Sequence, residues 1–319
     1  MSRLTSLLTA LLTLLLVACS PALTPPPAMV EEPVEVPVEE AFPITITDAL
    51  GNDVTLQSQP TRIVSLTLGT DEILLDLVGP QRLIGVTYLA ADPATSNIAD
   101  RPELAQIPNA LDTSPEPIIA LEPDLVLVAS FTDPAVVDQL KAAGVPVFVI
   151  GSFTSIQAMQ ENILTLGELV GEAERAREMV EAMNDRLAAV EAAVSQAEGQ
   201  PPRVLYLASG GWVAGSATTV DDIIVHAGGI NAAAEAGLVD WNQVNEEAII
   251  EMRPDVVVLS TYVTDEEFLA NPAFANLDAV QNGQVIAISD AHMSATSQYI
   301  VQGVEDLAAF LYPDLFPSE

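Results

Sequence analysis

The feature that most restricts what this 319-residue chain can fold into is a repeat that aligns without a gap. Residues 116–128 read EPIIALEPDLVLV, and residues 247–259 read EAIIEMRPDVVVL. Each copy opens on an acidic residue, continues as a short apolar helix, breaks at Pro-Asp and enters an unbroken apolar run. A carboxylate suits the first turn of a helix, where N–H groups lack partners. Proline then ends the helix, and aspartate tolerates the turn. The apolar run reads as a strand buried on both faces, which implies a parallel sheet covered by helices. Two copies imply two halves of like topology.

Further apolar, β-rich runs fill out both halves. Residues 63–66, 83–87, 125–129 and 146–150 are expected strands in the first; residues 204–208, 256–260 and 285–288 are expected strands in the second. Helical patterns separate them, as a parallel α/β fold requires. Between the halves, Ala176, Val180, Met183, Leu187, Val190, Val194 and Ala197 recur at three- and four-residue spacing. That spacing predicts one long amphipathic helix over residues 172–198, stopped by Gly199 and Pro201-Pro202. It serves either as a bridge or as a helix of one half; its place near mid-chain favours the bridge. The expected fold class is therefore α/β, with mainly parallel sheets in two lobes joined by one long α-helix. The expected divisions are an N-terminal lobe over residues 42–170, a connecting helix over 171–200 and a C-terminal lobe over 201–319.

Residues 1–41 differ in kind. Arg3 precedes an apolar stretch over residues 4–17, too short for a comfortable membrane span and laid out like a secretory signal. It ends in Leu16-Val17-Ala18-Cys19, and Cys19 is the only cysteine of the chain. This resembles the lipobox of bacterial lipoproteins, which implies a signal peptide over residues 1–18 and acylation of Cys19. Residues 19–41 are rich in Pro and Glu, a composition that buries no core and is expected to be a disordered linker. The formal charge of −35 argues against a nucleic-acid partner and against direct adsorption to anionic lipid. Membrane contact is thus expected through the lipid alone.

The order and spacing of several segments resemble a known family. They are residues 48–54 (DALGNDV), 60–66 (PTRIVSL) and 69–74 (GTDEIL), then the first repeat copy. Residues 227–232 (AGGINA), the second copy, 279–285 (AVQNGQV) and 312–316 (YPDLF) follow. Together they are similar to the periplasmic binding proteins that serve ABC importers of iron-siderophores, haem and cobalamin. The resemblance implies two Rossmann-like lobes on a single helix and a ligand held between them. It implies a monomer that delivers its ligand to the transmembrane subunits of an ABC permease. One glutamate per lobe docks on the permease in that family, and the matching positions are Glu116 and Glu247; the alternative is a carboxylate that only caps its helix.

The ligand is expected beyond the carboxyl ends of the strands, where open α/β sheets place it. By resemblance the lining comes from Tyr88, Phe131, Trp212, Tyr262, His292 and Met293, all in or next to strand-end loops. Aromatic walls suit flat macrocycles and bulky chelates. His292 would ligate iron, meet a polar ligand edge or face solvent. His226 reads as a packed structural residue. The chain has two histidines, too few for a His-rich metal cage, so neither a resident metal nor a cofactor is expected. The few basic residues show no convergence, which favours a neutral or weakly charged ligand over a triply anionic chelate. No nucleophile elbow, phosphate loop or metal-ligand spacing marks an enzyme. A ligand sensor or scavenger without an importer shares every other feature and stays open.

Overall fold

The computed structural model describes residues 42–317. The leader, Cys19 and the Pro/Glu linker lie outside the described residues. Chain order is β1 (Ile44–Thr47), β2 (Asp53–Leu56), β3 (Ile63–Ser65), α1 (Leu68–Val78), β4 (Leu83–Thr87), β5 (Ala110–Leu111), α2 (Pro115–Ala120), β6 (Leu125–Ala129), α3 (Pro134–Ala142), β7 (Val147–Ile150) and α4 (Ile156–Val170). After α5 (Ala173–Val194) come β8 (Arg203–Ala208), β9 (Trp212–Ala214), α6 (Thr219–His226), β10 (Ile230–Asn231), α7 (Ala232–Glu235), β11 (Trp241–Gln243), α8 (Glu246–Met252) and β12 (Val256–Leu259). The chain closes with α9 (Asp265–Ala270), α10 (Asp278–Gln281), β13 (Val285–Ala287), α11 (Asp290–Met293) and α12 (Ile300–Leu311).

The first half builds a five-stranded, all-parallel sheet in the order β5-β4-β3-β6-β7. The second builds the order β11-β9-β8-β12-β13, with β10 also pairing β8. There β8, β12, β13 and β10 are parallel, while β9 and β11 run antiparallel at the edge. Strand side chains alternate between faces. Val126, Val128, Val147 and Val149 therefore meet α2 and α3 through Ile118, Val137 and Leu140. Leu125, Leu127, Phe148 and Ile150 point the other way, toward α1, α4 and α5. In the second sheet Leu205, Leu207, Val257 and Leu259 face α8 and α9, whereas Val204, Tyr206, Val256 and Val258 join the same core as α5, α6 and α12. One apolar core thus runs continuously behind both sheets.

The long connecting helix is present as α5, but it ends at Val194, short of the expected residue 198. The Ser195 hydroxyl and the Gln196 amide both donate to the carbonyl of Ala192, giving the last turn side-chain partners in place of further helix. Gly171 separates α4 from α5 in a left-handed conformation (φ 72°, ψ 37°), which favours glycine. Helix α5 packs on α4 and on α12, and Arg186 grips Glu305 of α12 through two hydrogen bonds of 2.8 and 2.6 Å.

The sequence repeat is also a structural repeat. Glu122 and Arg253, equivalent positions ahead of the two prolines, both take left-handed conformations (φ 49° and 46°). Asp124 accepts from the backbone N–H groups of Thr61 and Arg62, at 2.8 Å each, where the chain enters β3. Asp255 accepts from the N–H of Arg203, at 2.8 Å, where it enters β8. In return Arg62 donates to the carbonyls of Leu121 and Glu122, and Arg203 to those of Met252 and Arg253. Each Pro-Asp turn is therefore a clamp that fastens a short helix to the start of the neighbouring strand.

Candidate functional site

The two halves meet along a polar seam at the carboxyl edges of their sheets. Helix α1 begins there, directly after β3, with Thr67 as its cap. A Cβ on Gly69 would lie 2.4 Å from the carbonyl oxygen of Thr296, so the first turn of α1 touches the chain that follows α11. Glu72 is almost fully buried at this contact. Its Oε1 accepts from the N–H (2.7 Å) and side-chain amide (3.1 Å) of Asn97, and its Oε2 from the Ser297 hydroxyl. The same Asn97 amide donates to the carbonyl of Ala291 at 2.7 Å. Nearby, Asp76 accepts from Arg101 (2.5 Å) and Gln298 (2.7 Å). Asp222 of α6 accepts from the N–H of Ile156 at 2.6 Å, a second tie between the halves.

Burial raises the Glu72 carboxyl above the ordinary glutamate value, against the pull of its Ser297 and Asn97 partners. Its neighbour Asp71 is fully buried and is pushed up to about 8 by desolvation, although Thr87 donates to it from both N–H (3.1 Å) and hydroxyl (2.5 Å). Among the described residues the other oxygen, Oδ1, finds no hydrogen-bond partner. The folded value lies above the 3.8 of an ordinary aspartate, so the folded chain holds a proton that the unfolded chain releases. This contribution to stability is complete below about pH 4 and is lost as pH rises through about 8, with a slope of at most about 1.4 kcal/mol per pH unit. Thermal melting between pH 5 and pH 9 should therefore shift downward with pH in the parent chain and less in Asp71→Asn. Equal slopes would show that Asp71 does not hold the proton.

The aromatic side chains lie toward the same edges. Among the described residues, the exposed aromatics are Tyr88, Phe131, Trp212, Trp241 and Tyr262. Tyr88 follows β4, and Phe131 follows β6 with its ring 6.2 Å from that of Phe153, which follows β7. Trp212 opens β9, paired with Ala208 at the carboxyl end of β8. Tyr262 follows β12. It lines a pocket of about 550 Å³ with Glu246, Glu247, Glu267 and Phe268, on the sheet face that carries α8 and α9. A second pocket, of about 320 Å³, lies in the first half between Thr87, Arg101 and Asn109.

The other expected lining residues are placed differently. Met293 is fully buried in the common core and presents nothing to a ligand, which corrects the expectation for it: α11 is a single turn that turns this side chain inward. His292 on the same turn is partly exposed, and its Nδ1 lies 2.5 Å from Asp306 of α12. Glu116 and Glu247 are both exposed in the first turns of α2 and α8, equivalent elements of the repeat. Sequence reasoning missed Phe153 and Trp241. Phe153 stands after β7 as Phe131 does after β6, so the strand-end rule already in use would have found it. Trp241 belongs to a three-residue edge strand that no periodicity reveals. Among the described residues, no group of three or more His, Cys, Asp or Glu is placed to hold a metal ion. None of the described helices is long and apolar enough to cross a membrane.

Comparison with known proteins agrees with this architecture. A family model described as "Periplasmic binding protein" matches residues 63–291. The chain is 31% identical over 280 residues to a cobalamin-binding protein of Halobacterium salinarum, covering 84% of this chain and 74% of that one. It is 27% identical over 286 residues to the uncharacterised ABC transporter substrate-binding lipoprotein YvrC of Bacillus subtilis, covering 87% and 88%. Among solved structures it is similar to the apo form of the periplasmic haem-binding protein RhuT from Roseiflexus sp. RS-1. That match has a TM-score of 0.69 at 28% identity and covers 80% of this chain and 98% of that one. With the paired sheets, the helix between them and the family model agreeing over most of its length, the chain belongs to the periplasmic binding protein family.

Proposed function

We propose that this protein captures a corrinoid between its two halves outside the cytoplasm and delivers it to the transmembrane subunits of an ABC importer. In this reading Cys19 carries the lipid that tethers it, and Glu116 and Glu247 are the docking carboxylates.

The observation that carries the choice of ligand is where the positive charges sit. Arg62, Arg82 and Arg203 stand at the starts of β3, β4 and β8, and Arg253 ends α8 ahead of β12, all on the amino edges. Arg175, Arg177 and Arg186 ride on α5, and Lys141 is in the last turn of α3. Arg101, near the seam, is held by Asp76 and Glu103. The described cations are therefore deployed away from the aromatic edge or already paired. A ligand that is uncharged and rich in amide N–H donors suits such a surface. Haem, with two propionates, and anionic ferric siderophores bring charges that ask for cations. The 31% identity to a cobalamin-binding protein over most of both chains supports the same ligand.

Titration calorimetry of the soluble body with cyanocobalamin tests this. One-to-one binding is expected, with haem and a corrinoid whose amides are hydrolysed to carboxylates about tenfold or more weaker, the equivalent of one charge-assisted contact. Tighter binding of haem than of cyanocobalamin would replace the corrinoid with haem.

A further inference from the structure

Glu72 and Asp76, one turn apart on α1, both make hydrogen bonds across the halves, but their surroundings differ. Asp76 accepts from Gln298 of the second half at 2.7 Å and is balanced by the Arg101 guanidinium at 2.5 Å. Glu72 is 1% exposed and has neutral hydrogen-bond partners: Asn97 of its own half on Oε1 and the Ser297 hydroxyl of the second half on Oε2. A carboxylate enclosed by neutral donors, beside a second carboxylate, is a costly charge. A neutral carboxyl fits the same contact. Its Oε1 keeps both Asn97 donors, and its Oε2–H donates to the Ser297 oxygen.

The groups around Glu72 do not supply the missing charge. Asp71 and Asp76 act on it from its own helix, and Tyr299 from the chain ahead of α12. From the loop that holds Asn97, Arg101 is turned to Asp76 and Glu103. From α11, Asp290 is bonded to Tyr206 and His292 to Asp306. The contact is also incompletely bonded. Thr95 Oγ1 and Gln298 Oε1, beside Asn97 and Ser297, are buried and find no hydrogen-bond partner among the described residues. Water that enters when the halves part gives these atoms partners and offsets some of the bonds lost.

We propose that Glu72 is a proton-linked latch between the halves, holding them together while it carries a proton and letting them part as the proton leaves. Burial raises its carboxyl in the closed seam, and contact with water on separation returns it to the ordinary glutamate value of 4.5. Separation therefore releases a proton. It becomes easier as pH rises from 4.5 through the raised value, by at most about tenfold per pH unit, and is independent of pH below that window. Asp71 behaves differently. Its partners Thr87 and Ser65 both belong to the first half, so it keeps its proton whether or not the halves part. The latch is a property of the ligand-free chain and stands apart from the corrinoid reading.

Hydrogen–deuterium exchange of the ligand-free protein at pH 5.5 and 7.5, corrected for the pH dependence of intrinsic exchange, tests this. Peptides over residues 92–99 and 290–300 report the seam, and peptides over β6 and β7 report the rest of the first half. In the parent, seam opening should increase about tenfold or more across this range while β6 and β7 stay protected. Glu72→Gln keeps the Oε1 acceptor and donates to Ser297 through its amide, so it reproduces the protonated latch and should show no such increase. Asp71→Asn should keep the parent slope. Seam exchange that is independent of pH in the parent, or that rises equally in Glu72→Gln, would overturn the latch.

Discussion

Replacing Glu116 and Glu247 together by arginine is expected to abolish importer-dependent uptake while ligand affinity of the isolated protein stays within about twofold of the parent value. The two carboxylates occupy the same position in the two repeat copies and stand exposed in the first turns of α2 and α8. Helix capping does not depend on either. Asn245 caps α8 by accepting from the N–H of Ala248 at 3.0 Å, and α2 starts on Pro115, which has no N–H to satisfy. Exposed substitutions away from such features change stability by no more than about 0.5 kcal/mol, so loss of uptake would not reflect unfolding. Charge reversal turns attraction for a partner's arginines into repulsion, which slows encounter and misaligns the complex. Each single replacement should leave partial uptake. Uptake by the double variant at the parent rate would remove the docking role and favour a sensor or scavenger of the same fold.

Removal of the seam carboxyl in Glu72→Ala should cost about 3 kcal/mol or more, because buried donors left without a partner cost about 1–3 kcal/mol each and a cavity adds to that. Three donors from Asn97 and Ser297 converge on this one side chain, and Ser297 belongs to the opposite half. Glu72→Gln keeps the shape and one acceptor. Since burial already favours the neutral form of Glu72, the amide should cost less than half as much as the alanine. Urea denaturation of the two variants measures the difference. A loss below about 1 kcal/mol in the alanine variant would show that the seam is held by its other contacts. Solution scattering of the same variant should report a looser particle, since Glu72 links α1 to the chain ahead of α12.

The main strands and the connecting helix were legible because each rests on a local signal. Unbroken runs such as residues 125–129 and 147–150 need two covered faces, and the sequence shows them as such. The repeat went further, since one gapless alignment implied both halves, although it gave Asp124 and Asp255 only as turn residues and not as the clamps they form. Less legible were β9, β10 and β11, which are two or three residues long and too short for any periodicity to show. Trp241 was missed for that reason. Met293 was misplaced because a loop position in sequence gives no direction to a side chain, and a single helical turn sufficed to bury it. The carboxylates of the seam were visible only as part of a motif, with nothing to say that Glu72 would find one partner at Asn97 and another, Ser297, more than two hundred residues later.

The paired clamps at Asp124 and Asp255 have a consequence for how such a scaffold diversifies. They fasten each sheet at the amino ends of its strands, the edge farthest from the aromatic loops. Stiffness is concentrated at that amino edge, and the loops at the opposite rim can change length and chemistry without loosening it. One frame can then serve chemically unlike cargoes by exchanging only its rim.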